Sequence, residues 1–255
     1  MSEADPSVGP PPPADDAGPA WGRRAQLRNL AGQRLGRKGR DTRERILAAT
    51  RELLAAPPGT PISLSAVARQ ASLGMSSLYL YFNDLTELLL AMLTPVMASA
   101  EEGYIERLRV RWPDADLGAH CFGFVLAYYD FWDCNSRLLH LRNQLSDRQD
   151  KRMMVARVAG AQPVIGLLVA QMDQDPAIPR TPAYGMASVL YIGIDRVVTL
   201  ATDRELPSVL PGEFSPNVRD FLQSEARLLE LGISDYRSLA RSVAQATQRQ
   251  MPAGT

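Results

Sequence analysis

The sequence predicts an all-α protein, with an N-terminal three-helix head built around a helix-turn-helix and a longer C-terminal helical body. Apolar residues recur at three- and four-residue spacings along most of the chain, the signature of one buried helix face. No run shows the sustained alternation of a half-buried strand. Proline, glycine and short capping residues fall at the ends of the periodic stretches, where helices start and stop.

A chain of 255 residues can bury a full core, so one or two domains are expected. Its 45% apolar and 22% charged residues are ordinary for a globular protein. No stretch reaches the roughly 18 consecutive apolar residues of a membrane span. No apolar core follows a basic start, so no secretory leader is expected and the chain reads as cytoplasmic. Cys121 falls within a predicted helix and Cys134 at its end, about 20 Å apart at about 1.5 Å per residue, too far for a bridge.

The zero net charge conceals an uneven distribution. Residues 1–20 carry Glu3, Asp5, Asp15 and Asp16 and no base. Residues 21–45 carry Arg23, Arg24, Arg28, Arg34, Arg37, Lys38, Arg40, Arg43 and Arg45 against only Asp41 and Glu44. Such a block is either the footprint of a polyanion partner or a solvated tail.

Residues 1–22, with the run Pro10-Pro11-Pro12-Pro13, bury too little apolar surface to offset their ordering entropy and read as a disordered tail. Residues 23–40 are basic and glycine-spotted, with Gly32, Gly36 and Gly39 opposing a helix, and read as a flexible arm. Residues 41–88 form the expected head. Asp41 and Glu44 have the spacing of a capping box, and Ile46, Leu47, Thr50, Leu53 and Leu54 form one inner face. Pro57-Pro58-Gly59 ends that helix. Ser63 caps a second helix with inner residues Leu64, Val67, Ala68 and Ala71. Ser72-Leu73-Gly74 makes a tight turn, and a third helix, Met75–Phe82, buries Leu78 and Phe82. Asp84 and Glu87 repeat the capping signature.

Residues 89–255 form the expected body. Helices are predicted over Leu85–Arg111 and Asp147–Met172, with kinks at Pro95 and Pro163, and over Leu117–Asp133 and Ser136–Leu145. Ala183–Asp203, Asn217–Leu231 and Asp235–Gln250 complete the set.

Two short helices joined by a three-residue turn can set the second into a DNA major groove about 12 Å wide. Ser76 and Leu80 lie opposite the buried Leu78–Phe82 side, with Ser77, Tyr79 and Tyr81 on the shoulders. Hydroxyls suit phosphates and base edges, and Leu80 suits a thymine methyl. The stretch from Arg43 to Leu93, ending its third helix in Tyr79-Leu80-Tyr81-Phe82 with Ala68 and Ala71 at small positions, resembles the head of the tetracycline-repressor (TetR) family. The resemblance covers about fifty residues of the 255. It implies phosphate or base contacts at Ser77, Tyr79 and Tyr81, and a backbone approach near Ser65. It also implies a ligand pocket in the body and, most commonly in that family, repression.

Two residues depart from the family pattern. Leu85 stands where the family carries a phosphate-binding lysine, and Gly74 stands where it favours serine. The basic block Arg23–Arg45 is expected to supply the missing phosphate contact. The candidate DNA-contacting set is therefore Arg37, Lys38, Arg40, Arg43, Ser63, Ser65, Met75, Ser76, Ser77, Tyr79, Leu80 and Tyr81. A protein-interaction adaptor that keeps the fold and binds DNA weakly is the alternative, and Leu85 is its support.

In the body, Tyr128, Trp132, His140, Met172, Tyr184 and Tyr191 are candidate walls for a small, largely apolar effector, because rings with polar tips orient such ligands. Plain core packing is the competing reading. Arg142–Arg157 reads as a solvated face or as a basic mouth for an anionic effector. Two apolar stripes suggest a four-helix homodimer interface: Met186, Val189, Gly193, Val197 and Leu200, and Val218, Phe221, Leu222, Leu228 and Leu229. A dimer implies a near-palindromic operator. His120-Cys121 and His140 lack metal-site spacing, and the chain has neither a phosphate-cradling glycine loop nor a nucleophile elbow. Neither an enzyme nor a cofactor is expected.

Overall fold

The computed structural model describes residues 36–178, 180–206 and 217–250, with side chains to residue 242. The predicted tail and most of the predicted arm lie outside the described residues. Every regular element among the described residues is helical, as the sequence predicts.

Helix α1 spans Arg37–Ala55, starting four residues before the expected capping box. Gly36 takes the N-cap with no side-chain bond, and the Arg40 N–H bonds the Gly36 carbonyl at 3.0 Å. Residues 37–40 are therefore helix rather than arm. Only Gly39 falls inside the helix, and its cost of about 1 kcal/mol is met by extending a nucleus already formed. Asp41 is an exposed residue within the helix, and Glu44 pairs with Arg51 instead of capping.

Ile46, Leu47 and Thr50 bury one side of α1 against α2 (Leu64–Gln70), whose Val67 and Ala68 are buried in turn. Ser63 caps α2 by accepting the Ala66 N–H at 3.2 Å. At the far end the Leu73 N–H bonds the Ala68 carbonyl at 2.8 Å and the Ser72 N–H bonds the Arg69 carbonyl at 3.1 Å. This reversal needs a left-handed residue, and Ser72 fills the place at φ 52°. Gly74, at φ −71°, is instead the extended N-cap of α3.

The third helix is shorter than predicted. Helix α3 covers Met75–Leu78, and a tighter turn carries the chain through Tyr81, with Leu80 N–H on Ser77 O (3.3 Å) and Tyr81 N–H on Leu78 O (2.9 Å). The expected inner residues Leu78 and Phe82 are buried nevertheless. Asp84 then caps α4 (Leu85–Ala100) through the Glu87 N–H at 2.8 Å, and Glu87 reaches back to the Asn83 N–H at 2.8 Å. The second capping signature is thus formed.

Past Pro95, α4 gives way to a π turn at Glu101–Ile105 and a 3₁₀ turn at Glu106–Leu108, so the long helix expected to Arg111 ends early. The body continues with α5 (Leu117–Cys134), α6 (Ser136–Asp147), α7 (Lys151–Gln171), α8 (Pro182–Ala201) and α9 (Val218–Gln250). Helix α9 packs on α5 and α8, and α7 lies between α6 and α8. One apolar core runs from Ile46 in the head to Ile233 in α9. Both cysteines are free, Cys121 buried and Cys134 exposed. Helices α7 and α8 are long and apolar enough to cross a membrane by length and composition, and both are packed within this helical body.

The expected break between Leu231 and Asp235 is absent. A Cβ on Gly232 would sit 2.7 Å from Leu190 Cδ1, so this glycine admits α8 to an unbroken α9. Gly193 likewise faces inward, with the Glu225 carboxylate 3.2 Å from where its Cβ would lie.

Asp150 joins α7 to α4. It caps α7 through the Arg152 N–H (3.0 Å) and Met153 N–H (3.3 Å), and accepts from Thr86 Oγ1 at 2.8 Å. Arg152 also reaches the α4 cap Asp84 at 2.9 Å. The Arg152 guanidinium, followed by Thr86 and the Met153 N–H, holds the Asp150 carboxyl at about 2. A carboxyl depressed in the folded state stabilises above its unfolded value, and that stability is lost as pH falls through the folded value. Asp150→Ala will lower the unfolding free energy read from urea titration at neutral pH, by about 1 kcal/mol for the cap alone. The gap to wild type should narrow as pH falls from about 4 towards 2. A gap of constant size down to that pH removes the carboxylate's charge from the account.

Candidate nucleic-acid interface

The turn at Ser72–Gly74 aims α3 and the following turn away from the core. Leu78 and Phe82 are 0% and 2% exposed, whereas Tyr79 and Leu80 are 48% and 62% exposed. Ser76 is exposed beside Leu80, and Ser77 and Tyr81 are half-buried shoulders. Leaving two large side chains in water while their neighbours fill the core makes an outward surface of phenol, hydroxyl and one aliphatic group.

Other members of the candidate set are placed differently. Arg37, Lys38 and Arg40 are exposed on the first turns of α1. Arg43 is half-buried with its guanidinium 5.3 Å from the Phe82 ring centroid, and burial lowers its pKa. It therefore steadies Phe82, which anchors the turn that carries Tyr79 and Leu80. Arg45 donates from Nη2 to the Ala71 carbonyl at 2.9 Å, closing the end of α2. Ser65 is exposed, with its Oγ 3.0 Å from that of the cap Ser63. Met75 is half-buried against the head core, as is Leu85.

The six candidate ligand-binding residues do not gather around one cavity. Tyr128, Trp132, Tyr191 and His140 form a chain of ring contacts inside the body, with centroid separations of 6.5 Å for Tyr128–Trp132, 6.0 Å for Tyr128–Tyr191 and 5.7 Å for Trp132–His140. Tyr128 donates to Asp195 Oδ1 at 2.7 Å and its hydroxyl lies 3.1 Å from that of Tyr191. Burial drives the Tyr128 pKa well up and pushes Tyr191 up to about 12, so both remain hydrogen-bond donors. Met172 is fully buried at the end of α7, and the Tyr184 hydroxyl donates to Gln162 at 3.1 Å. For Trp132 and Met172 core packing is the role the structure gives.

Of the six, His140 lines an open cleft of about 660 Å³ between head and body, and the other five do not line it. Its walls come from the end of α1 and the following loop, from α4 and α6, and from the ends of α5 and α8. Arg137 crosses beside it. That guanidinium donates to the Leu53 carbonyl at 2.7 Å, which also accepts the Ala56 N–H, and to the Ala56 (2.9 Å) and Thr60 carbonyls in the segment after α1. The sequence reading missed Arg137. The signal available was the abrupt end of α1 at Pro57-Pro58-Gly59 with no base in its last turn.

No protein-family model and no curated protein matches this sequence.

Proposed function

We propose that this chain is a cytoplasmic, homodimeric helix-turn-helix regulator of transcription, of the TetR kind, that represses from a near-palindromic operator and responds to a small effector. The observation that carries the reading is the outward surface of Ser76, Tyr79 and Leu80 on a segment whose other side, Leu78 and Phe82, is wholly buried. Arg37, Lys38 and Arg40 add exposed cations on the helix that braces it.

A dimer is supported by apolar residues left exposed on two adjoining helices: Val189, Ile192 and Leu200 on α8, and Phe221 and Leu228 on α9. This stripe differs from the one expected. Leu222 and Leu229 are buried in the chain's own core and Gly193 faces Glu225, while Ile192, 63% exposed, joins the outer face. A second copy presenting the same stripe would cover it by an isologous two-fold packing.

The test is selection of duplexes from a random pool with the full chain, followed by affinity measured against salt. Tyr79→Ala should weaken the selected duplex by about tenfold. Replacing Arg37, Lys38 and Arg40 together by alanine should flatten the slope of log affinity against log salt by about 2 to 3. Failure to enrich any duplex at moderate salt overturns the proposal in favour of an adaptor.

A further inference from the structure

We infer that Arg196 and Glu225 form a reciprocal ion pair between two copies of this chain, and that this pair decides which chains the α8–α9 face accepts. The inference rests on the homodimer reading above and names the contacts that select the partner.

The exposed apolar face carries one cation and one carboxylate within its stripes. On α8 the exposed residues Val189, Ile192, Arg196 and Leu200 follow one another at three- and four-residue steps, so Arg196 stands in line with the apolar side chains. On α9, Glu225 comes four residues after the exposed Phe221 and three before the exposed Leu228. A Cβ on Gly193 would lie 3.2 Å from Glu225 Oε2, so the carboxylate rests across α8. That level is one turn before Arg196, about 4.5 Å along the helix axis. Both charges therefore sit at the same height on the face.

Neither is matched within the protomer. Among the described residues no hydrogen bond or ion pair reaches Arg196 or Glu225. Glu225 is half-buried, and burial raises its pKa with no base to offset the rise. The neighbouring charges are engaged elsewhere. Asp195 accepts from Tyr128 and lies 3.8 Å from Arg157, Arg227 pairs with Glu230 at 2.6 Å, and the Arg219 guanidinium lies 6.0 Å from the Phe122 ring centroid.

A two-fold axis crossing the face at this height carries Arg196 of one copy to the partner's Glu225, and symmetry makes the contact twice. The apolar stripes then cover each other and neither charge is desolvated alone. A chain that offers a similar apolar face without this pair leaves a guanidinium and a half-buried carboxylate unmatched. Apolar burial favours any such partner, and the two charges restrict it to a second copy.

The test reverses each charge separately and measures assembly by sedimentation. Arg196→Glu alone sets a carboxylate against the partner's Glu225 twice, and Glu225→Lys alone sets a base against the partner's Arg196 twice. Each should raise the dimer dissociation constant by about a hundredfold. An equimolar mixture of the two should sediment as a dimer, because each copy supplies what the other lacks. The chain with both changes should again pair with itself, whereas Arg196→Glu with Asp220→Lys, at an exposed acid outside the stripe, should not. Neutral changes give a reading that needs no base at position 225. Arg196→Gln and Glu225→Gln should each weaken the dimer by about tenfold, and together no further than either alone. A mixture that stays monomeric, or neutral changes whose effects multiply, overturns the pair. A wild-type dimer indifferent to both reversals removes the pair and leaves the homodimer standing. A wild-type chain that sediments as a monomer throughout is the failure of the homodimer reading, and the pair falls with it.

Discussion

Arg237→Met will melt about 10 °C below wild type, the largest loss of stability expected from any single side chain here. Arg237 is 1% exposed and its guanidinium is fully engaged. Nε donates to the Gln171 carbonyl at 2.7 Å, Nη1 to the Trp112 carbonyl at 2.9 Å and to Asp114 Oδ1 at 2.5 Å, and Nη2 to Gln171 Oε1 at 3.1 Å. Gln171 is itself buried and spans to the Leu108 and Val110 carbonyls at 2.9 and 2.8 Å while accepting the Trp112 N–H at 3.0 Å. One knot thus joins α9, α7 and the segment between the 3₁₀ turn and α5.

Methionine matches the volume but takes the donor from the buried Gln171 carbonyl and one of two donors from both Gln171 Oε1 and the Trp112 carbonyl, at about 3 kcal/mol in total. For a chain of this size each kcal/mol moves the melting temperature by about 2–4 °C. Arg237→Lys should recover less than half of the loss, because a point ammonium cannot serve acceptors spread around a planar fork. The ion pair with Asp114, which is half-exposed and also pairs with Arg111 and Arg241, is the lesser part. Calorimetry of wild type and both variants checks this, and a fall of under about 2 °C for Arg237→Met contradicts it.

The head was legible because its contacts are local. Ile46, Val67, Ala68, Leu78 and Phe82 lie within forty residues of one another, and helical periodicity alone brings their side chains together. Asp84 was legible for the same reason, since a cap is satisfied by the next three residues. Errors arose where a local signal had a distant competitor. Asp41 and Glu44 spell a capping box, but four upstream residues continue the helix and leave Asp41 in its interior. Gly232 reads as a break until Leu190 is seen to occupy the space a side chain would need. Leu222 and Leu229 share an apolar face with Phe221 and Leu228 in sequence, and only the placement of α5 and α8 divides that face into inside and outside. The cleft was illegible because Leu54, Met92, Asp133 and Asp203 meet only when four helices end or cross at one place. No periodicity within any one helix encodes such a meeting.

If the chain is the proposed dimeric regulator, Ile192→Glu should convert it to a monomer and weaken binding of the selected duplex by about a hundredfold or more. Ile192 lies near the middle of α8 between exposed Val189 and Leu200, with Leu228 exposed on the neighbouring α9. In a two-fold interface each residue of this stripe meets the same stripe of its partner, so one substitution places two carboxylates into a shared apolar patch. The protomer itself has little to lose. Ile192 is already 63% exposed, and the buried side of α8, Ala187, Ile194 and Val198, is untouched. A monomer reads one half-site only, and the gain from delivering the second head at operator spacing disappears. Val110→Glu is the matched control: Val110 is the most exposed large apolar residue among those described, at 75%, and lies on neither α8 nor α9. Sedimentation should find Ile192→Glu monomeric and Val110→Glu unchanged. An Ile192→Glu protein that sediments as a dimer and still holds the duplex would place the partner copy on another face.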